Sequence, residues 1–230
     1  MGHGADEGGG DYAQVIARER SDRLLRILAT MLSAEQQAKD NAIVRAVHEA
    51  FMPIDDETFR VIVDHMSYTE VAKGDEFISQ GGPNDRLGVI VDGLMRGVEL
   101  IDGDDHTLMF FDAPCFVTEY VGFLRRDPAR FGIVALEDSR LCTWSYDDLQ
   151  RMYSLSKVGE RLGRMIAEGV IAEVIDEVRS FRFDTATDRY EKLIATYPRL
   201  IQRVPQYMVA SYLGVTPESL SRIRAKLARS

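Results

Sequence analysis

The residues best suited to chemistry lie near the C-terminus. At about 100° per residue, Glu218, Ser221, Arg222, Ala225 and Arg229 share one stripe, while Leu220, Ile223 and Leu227 share the opposite one. A guanidinium at Arg222 is a fork that can meet two acceptors on one base edge, whereas Arg224 and Lys226 flank the stripe and suit phosphates. Such a face fits the major groove of DNA; the alternative is an ordinary helical hairpin with solvated charges. Gln206, Thr216, Glu218, Ser219, Ser221, Arg222, Arg224 and Lys226 are the candidate contacts.

Two helices must hold that face. In QYMVASYLGVTPESLSRIRA, from Gln206 to Ala225, the first helix ends at Gly214, which can take the positive φ that stops a helix within one residue. Ala210 is small where the helices would cross, and Val209, Leu213, Val215, Leu220 and Ile223 supply a shared core. Thr216 offers an N-cap oxygen, Pro217 suits the first helical position, and Glu218 complements the positive helix end. The second helix is therefore expected to start at Pro217, in a helix-turn-helix.

The whole chain carries a formal charge of −9, which should repel nucleic acid. Its distribution says otherwise. From residue 199 to the end, Arg199, Arg203, Arg222, Arg224, Lys226 and Arg229 face Glu218 alone, so this end is +5 and the remainder −14. The basic end is expected to aim at phosphates.

Other chemistries find no support. Two separated cysteines, Cys115 and Cys142, cannot build a four-thiolate cluster or a structural zinc site. His3, His48, His65 and His106 lack metal-ligand spacing, and no Walker loop, dinucleotide fingerprint or nucleophile elbow occurs. No metal, no cofactor and no enzymatic activity are expected. No apolar run approaches the ~20 residues that span a bilayer, and the N-terminus has no apolar signal core. A cytoplasmic protein without membrane contact is expected.

With 230 residues, two modest domains fit better than one large one. Residues 1–11 read as a disordered, glycine-rich tail. Residues 12–53 read as a helical segment, with Leu24, Leu28, Met31 and Leu32 on a first helix and Ile43, Val47, Ala50 and Phe51 on a second. Residues 54–145 hold a short helix and then a period of two, cut by turns such as Asp92-Gly93 and Asp102-Gly103, which predicts a roll of about eight strands. Residues 146–182 predict one long helix, where Val158, Leu162, Met165, Gly169 and Ala172 make a heptad-like seam suited to a second copy of the chain. Ile166, Val170, Val174 and Val178 line a neighbouring stripe; one stripe can face the roll and the other a partner. Residues 183–230 follow a polar break and hold the helix-turn-helix. The fold class is α+β.

This order resembles the Crp/Fnr family of bacterial transcription regulators. KGDEFISQGG is similar to the glycine-framed first strands of that family's effector domain, VIVDGLMRG to its next turn, and FFDAPCFVTEYVGFLRRDPARFGIVALEDSRLCTWSYDDL to its nucleotide-binding cassette, closest to the branch common in Bacteroidetes. The resemblance covers about residues 43–227. It implies a cyclic-nucleotide-binding-like double-stranded β-helix, a dimerisation helix, double-stranded DNA with a palindromic operator as partner, and RNA polymerase as a further one. Where the family continues past its recognition helix into a β hairpin, this sequence stops at Ser230, so no wing contacts are expected.

In members that bind cyclic AMP, a Gly-Glu pair and an Arg-Ser or Arg-Thr pair clamp the ribose and phosphate. The resemblance places Glu119 and Arg130 there, but Thr118 stands for the glycine and Phe131 for the small hydroxyl. Loss of the hydroxyl and gain of a ring argue against a cyclic nucleotide. Glu119 and Arg130 either form a structural ion pair or hold another, unidentified small-molecule effector. Two functions follow from different classes: a homodimeric DNA-binding regulator, or a cyclic-nucleotide or small-anion sensor whose tail touches another protein. A hydrolase using Glu119 and a water lacks any supporting nucleophile or base.

Overall fold

The computed structural model describes residues 33–155 and 158–228. The expected tail at 1–11 and the helix carrying Leu24, Leu28, Met31 and Leu32 lie outside the described residues. The chain divides into two compact units, residues 1–42 and 43–230. In the first, residues 33–42 are helical, with Lys39 paired to Glu35 one turn away.

The second unit opens on α1 (residues 43–49) and α2 (Asp56–Asp64), whose Asp55 cap accepts from the Thr58 N–H. Eight strands follow: β1 (Ser67–Val71), β2 (Glu76–Ile78), β3 (Arg86–Asp92), β4 (Leu94–Ile101), β5 (Asp104–Asp112), β6 (Cys115–Val117), β7 (Gly132–Ala135) and β8 (Ser139–Ser145), with α3 (Tyr120–Arg125) between β6 and β7. They form two antiparallel sheets in the orders β1-β8-β3-β6 and β2-β7-β4-β5. At the β3–β4 turn, Gly93 has φ +113°, and a Cβ there would collide with Ser139. Both the backbone conformation and the lack of space therefore call for glycine at this turn.

The period of two divides the strand residues among three cores. Ile90, Met95, Ile133 and Leu141 point between the sheets. Their neighbours Val89, Val91, Cys142 and Trp144 point outward, against Val44 of α1 and Ile62 of α2. On the other sheet, Leu94 and Phe110 point outward into a third core shared with the C-terminal helices.

Those helices are α4 (Tyr146–Leu155), α5 (Gly159–Phe183), α6 (Ala186–Thr196), α7 (Leu200–Arg203), α8 (Gln206–Tyr212) and α9 (Pro217–Leu227). The single helix expected over 146–182 is thus two helices. Gly159 and Gly163 let α5 press onto α4, since a Cβ at Gly159 would collide with the Met152 carbonyl and one at Gly163 with the Tyr153 ring. Met152 of α4 and Leu162 of α5 then enter the same core beside Trp144. Among the described residues no helix is long and apolar enough to cross a membrane.

Candidate nucleic-acid interface and effector site

Gly214, at φ +66°, ends the first helix of the C-terminal pair; its N–H bonds the Ser211 carbonyl, and the Val215 N–H bonds that of Ala210, each at 3.0 Å. Ala210 is fully buried, where a larger side chain would part the helices. The Thr216 hydroxyl accepts from the Ser219 N–H at 3.3 Å, Pro217 takes the first helical position, and α9 starts there as the spacing predicts. The Glu218 carboxyl is held below its usual range by its own backbone N–H and the Thr216 hydroxyl, with a smaller share from Arg222.

Gln206, Thr216, Glu218, Ser221, Arg222 and Lys226 are exposed, Ser219 and Arg224 half-buried. Leu220 is buried, with Ile223 and Leu227 packed beside it. Gln206 of α8 meets Ser221 and Arg224 of α9 across one shallow hollow, so both helices contribute to the candidate surface. Ser219 and Thr216 are joined hydroxyl to hydroxyl at 3.2 Å and serve the cap first.

Arg203 departs from the sequence expectation. Its guanidinium is taken by the roll: Nε donates to Glu137 Oε1 at 2.9 Å, Nη2 to Glu137 Oε2 at 2.6 Å, and Nη1 to Asp112. It is thus a neutralised clamp, and the charge free for phosphates is smaller than the sequence count. Two further contacts seat α8 on the roll. The Thr107 N–H of β5 donates to the Ser211 hydroxyl at 2.9 Å, and the Phe110 and Tyr212 rings lie 5.5 Å apart. Arg189 of α6 also supports the motif: it donates to the Leu213 carbonyl at 2.8 Å and the Asp184 carbonyl at 2.9 Å while stacking on Phe181. Sequence reading missed both arginines' partners, because nothing local marks a partner 66 or 24 residues away.

In the roll, Glu119 is 1% exposed and caps α3. Its carboxylate accepts the N–H groups of Val121 (3.1 Å), Gly122 (3.0 Å) and Arg130 (3.3 Å), and the Asn84 amide at 3.2 Å. A Cβ at Gly122 would collide with that carboxylate. Glu119 and Arg130 meet through the Arg130 backbone N–H, and Arg130 itself is exposed. Thr118 donates its hydroxyl to the Arg86 carbonyl at 2.9 Å. Phe131 packs into the inter-sheet core against Gly97. Asn84, which no sequence signal singled out, completes the arrangement.

The five seam residues differ in exposure. Val158 precedes α5, Leu162 is 4% exposed inside the chain's own core, and Gly169 abuts Phe51. Met165 is half-buried and Ala172 exposed. The free apolar face of α5 is instead Ile171, Val174, Ile175 and Val178, the last two 60% and 62% exposed. Among the described residues no cluster of three or more His, Cys, Asp or Glu could hold a metal ion.

Residues 68–156 match the family of the cyclic nucleotide-binding domain. No curated protein matches significantly. Among solved structures, FixK2 from Bradyrhizobium japonicum aligns with a TM-score of 0.61 at 19% identity, over 71% of this chain and 85% of that one. The c-di-GMP-responsive global regulator CLP of Xanthomonas campestris aligns at 0.59 and 22%, over 76% and 92%. The catabolite activator protein of Thermus thermophilus aligns at 0.50 and 18%, over 78% and 86%. The chain has the fold of these Crp/Fnr-type regulators: a cyclic nucleotide-binding roll followed by C-terminal helices.

Proposed function

We propose that the chain is a sequence-specific DNA-binding transcription regulator acting as a cytoplasmic homodimer, without enzymatic activity and with a roll that no longer takes cyclic nucleotides. The observation that carries this reading is the helix-turn-helix itself: α9 buries Leu220 and turns Glu218, Ser221, Arg222 and Lys226 to solvent. Arg222 reads a base edge, while Arg224 and Lys226 hold phosphates.

Dimerisation uses α5. Ile171, Val174, Ile175 and Val178 recur at three- and four-residue spacing, and pairing that stripe with its copy about a two-fold axis removes it from water. The two α9 helices then meet half-sites about one helical turn, ~34 Å, apart on a palindromic operator. RNA polymerase is the partner through which a bound dimer acts.

The roll's state follows from Glu119. Its side chain takes three N–H groups of the cassette, and Phe131, in place of the small hydroxyl, packs into the inter-sheet core and offers a cyclic phosphate no donor. The same occupancy weighs against an anion sensor. Selection of bound duplexes from a random DNA pool, with and without cell extract, tests the reading: enrichment of a palindrome with half-sites about 10 base pairs apart supports it, and no enrichment in either arm removes it.

A further inference from the structure

A cleft of about 440 Å³ opens between the C-terminal half of α5, the helix α6, strand β5 and Tyr212 of α8. Its volume lies within the ~300–1,000 Å³ of small-molecule sites and well above the ~150 Å³ that encloses benzene. Neither the Glu119 cassette nor α9 lines it. At about 100° per residue along α5, Glu173, Asp176 and Glu177 centre on the face opposite Ile171, Val174, Ile175 and Val178, so the cleft and the free apolar stripe lie on different sides of one helix.

The elements around the cleft differ in chemistry. The α5 helix supplies all three carboxylates, while β5, α6 and α8 supply the rings of Phe110, Tyr197 and Tyr212. Two cations also line the cleft, and both are engaged: Lys192 Nζ pairs with Asp184, and the Arg189 guanidinium donates to the Asp184 and Leu213 carbonyls at 2.9 and 2.8 Å while stacked on Phe181. Glu177 is half-buried, and its carboxylate takes the Tyr212 hydroxyl at 3.1 Å. Among the described residues no lysine or arginine pairs with it, and burial pushes its pKa up. A carboxylate drawn from water without a counter-cation is destabilised, and a cation entering the cleft would relieve it.

We propose that this cleft binds a small organic cation with an aromatic body, an arylalkylamine of which phenethylamine is the simplest, the ammonium at the α5 carboxylates and the ring among Phe110, Tyr197 and Tyr212. An ammonium donates charge-assisted hydrogen bonds to carboxylates, and a ring prefers other rings at its edges and faces. An anion would meet three carboxylates, and among the described residues the acids do not converge on a metal-ion site. The occupant touches α5, α6, β5 and α8 together, joining the long helix to the first helix of the C-terminal pair. The site does not depend on the DNA-binding reading.

Calorimetric titration of the full chain with phenethylamine is expected to saturate at one site per chain, with nuclear Overhauser contacts from the ligand ring to Phe110, Tyr197 or Tyr212. The neutral analogue 2-phenylethanol keeps the ring and tether and is expected to bind at least about 10-fold more weakly. Glu177→Gln keeps an acceptor for Tyr212 and removes the charge: phenethylamine affinity is expected to fall about 3- to 10-fold, and 2-phenylethanol affinity to hold within about twofold. Thr196→Trp, at an exposed lining position, fills the cleft and is expected to abolish binding. Absence of saturation with phenethylamine in the folded wild type overturns the site, as does saturation that survives in folded Thr196→Trp. Equal binding of the amine and the alcohol overturns the role of the carboxylates. Displacement of phenethylamine by magnesium chloride, beyond that caused by sodium chloride at the same ionic strength, would show a plain acidic surface and overturn the proposed ligand class.

Discussion

Arg203, at the end of α7, holds both carboxylate oxygens of Glu137, in the β7–β8 connection, at 2.9 and 2.6 Å. With Asp112 as its second acid, it fastens the C-terminal helices to the roll of the same chain. The pair is half-buried, so its worth lies between that of an exposed ion pair and a buried one. Arg203→Ala is expected to destabilise the C-terminal helices by about 1–2 kcal/mol and to speed proteolysis near Asp184 and Thr185. Its salt slope of DNA binding should match wild type, because Arg203 meets no phosphate. A slope lowered by about one per half-site would instead make it a phosphate anchor.

The same clamp sets a pH dependence. Arg203 holds the Glu137 carboxyl below the ordinary glutamate value. A depressed carboxylate stabilises fully above its ordinary pKa, and that contribution is lost as pH falls through the depressed value. The stability gap between wild type and Arg203→Ala is therefore expected to stay level from about pH 6 to 8 and to shrink below about pH 4. Denaturant titrations at several pH values check this, and a gap that grows in acid contradicts it.

Glu119 is expected to be worth more as a cap than as a ligand contact. Glu119→Ala leaves the N–H groups of Val121, Gly122 and Arg130 without their acceptor, a loss of about 2–3 kcal/mol. Acetate should restore part of the variant's melting temperature and leave wild type unmoved. In wild type, calorimetry should give cyclic AMP and cyclic GMP constants no tighter than about millimolar. A micromolar constant for either contradicts the filled cassette.

The two faces of α5 should fail in different ways. Ile175→Glu would place like charges near the two-fold axis of the proposed dimer, so sedimentation should show monomers with an intact roll. Leu162→Glu buries a carboxylate beside Trp144 and should cost the fold itself about 3–5 kcal/mol. If Leu162→Glu gives folded monomers and Ile175→Glu remains dimeric, the sequence-derived seam is the interface.

What could be read from the chain alone follows from what is local. Period-two alternation and the turns at Gly93 and Gly103 mark the roll, and Thr216-Pro217 marks the start of α9. The break between α4 and α5 left no trace in periodicity, because Met152 and Leu162 enter one core and the apolar rhythm continues from helix to helix. That shared core also explains why Leu162 of the heptad-like seam points inward. Glu119 stood out by resemblance, but its use depends on Asn84, 35 residues earlier, and Arg203 pairs with acids 66 and 91 residues back. No window along the sequence reports such contacts.

DNA recognition by α9 is the central claim, and competition binding against single-base operator variants at two salt concentrations tests it most directly. Arg222→Ala is expected to cost about 1–3 kcal/mol per half-site and to relax preference at one symmetric base position. Lys226→Ala should weaken all sequences alike and lower the salt slope by about one per half-site. Equal weakening of operator and random DNA by Arg222→Ala would mean that this residue holds a phosphate and that the groove face is misassigned; unchanged binding in both variants would contradict the regulator reading itself.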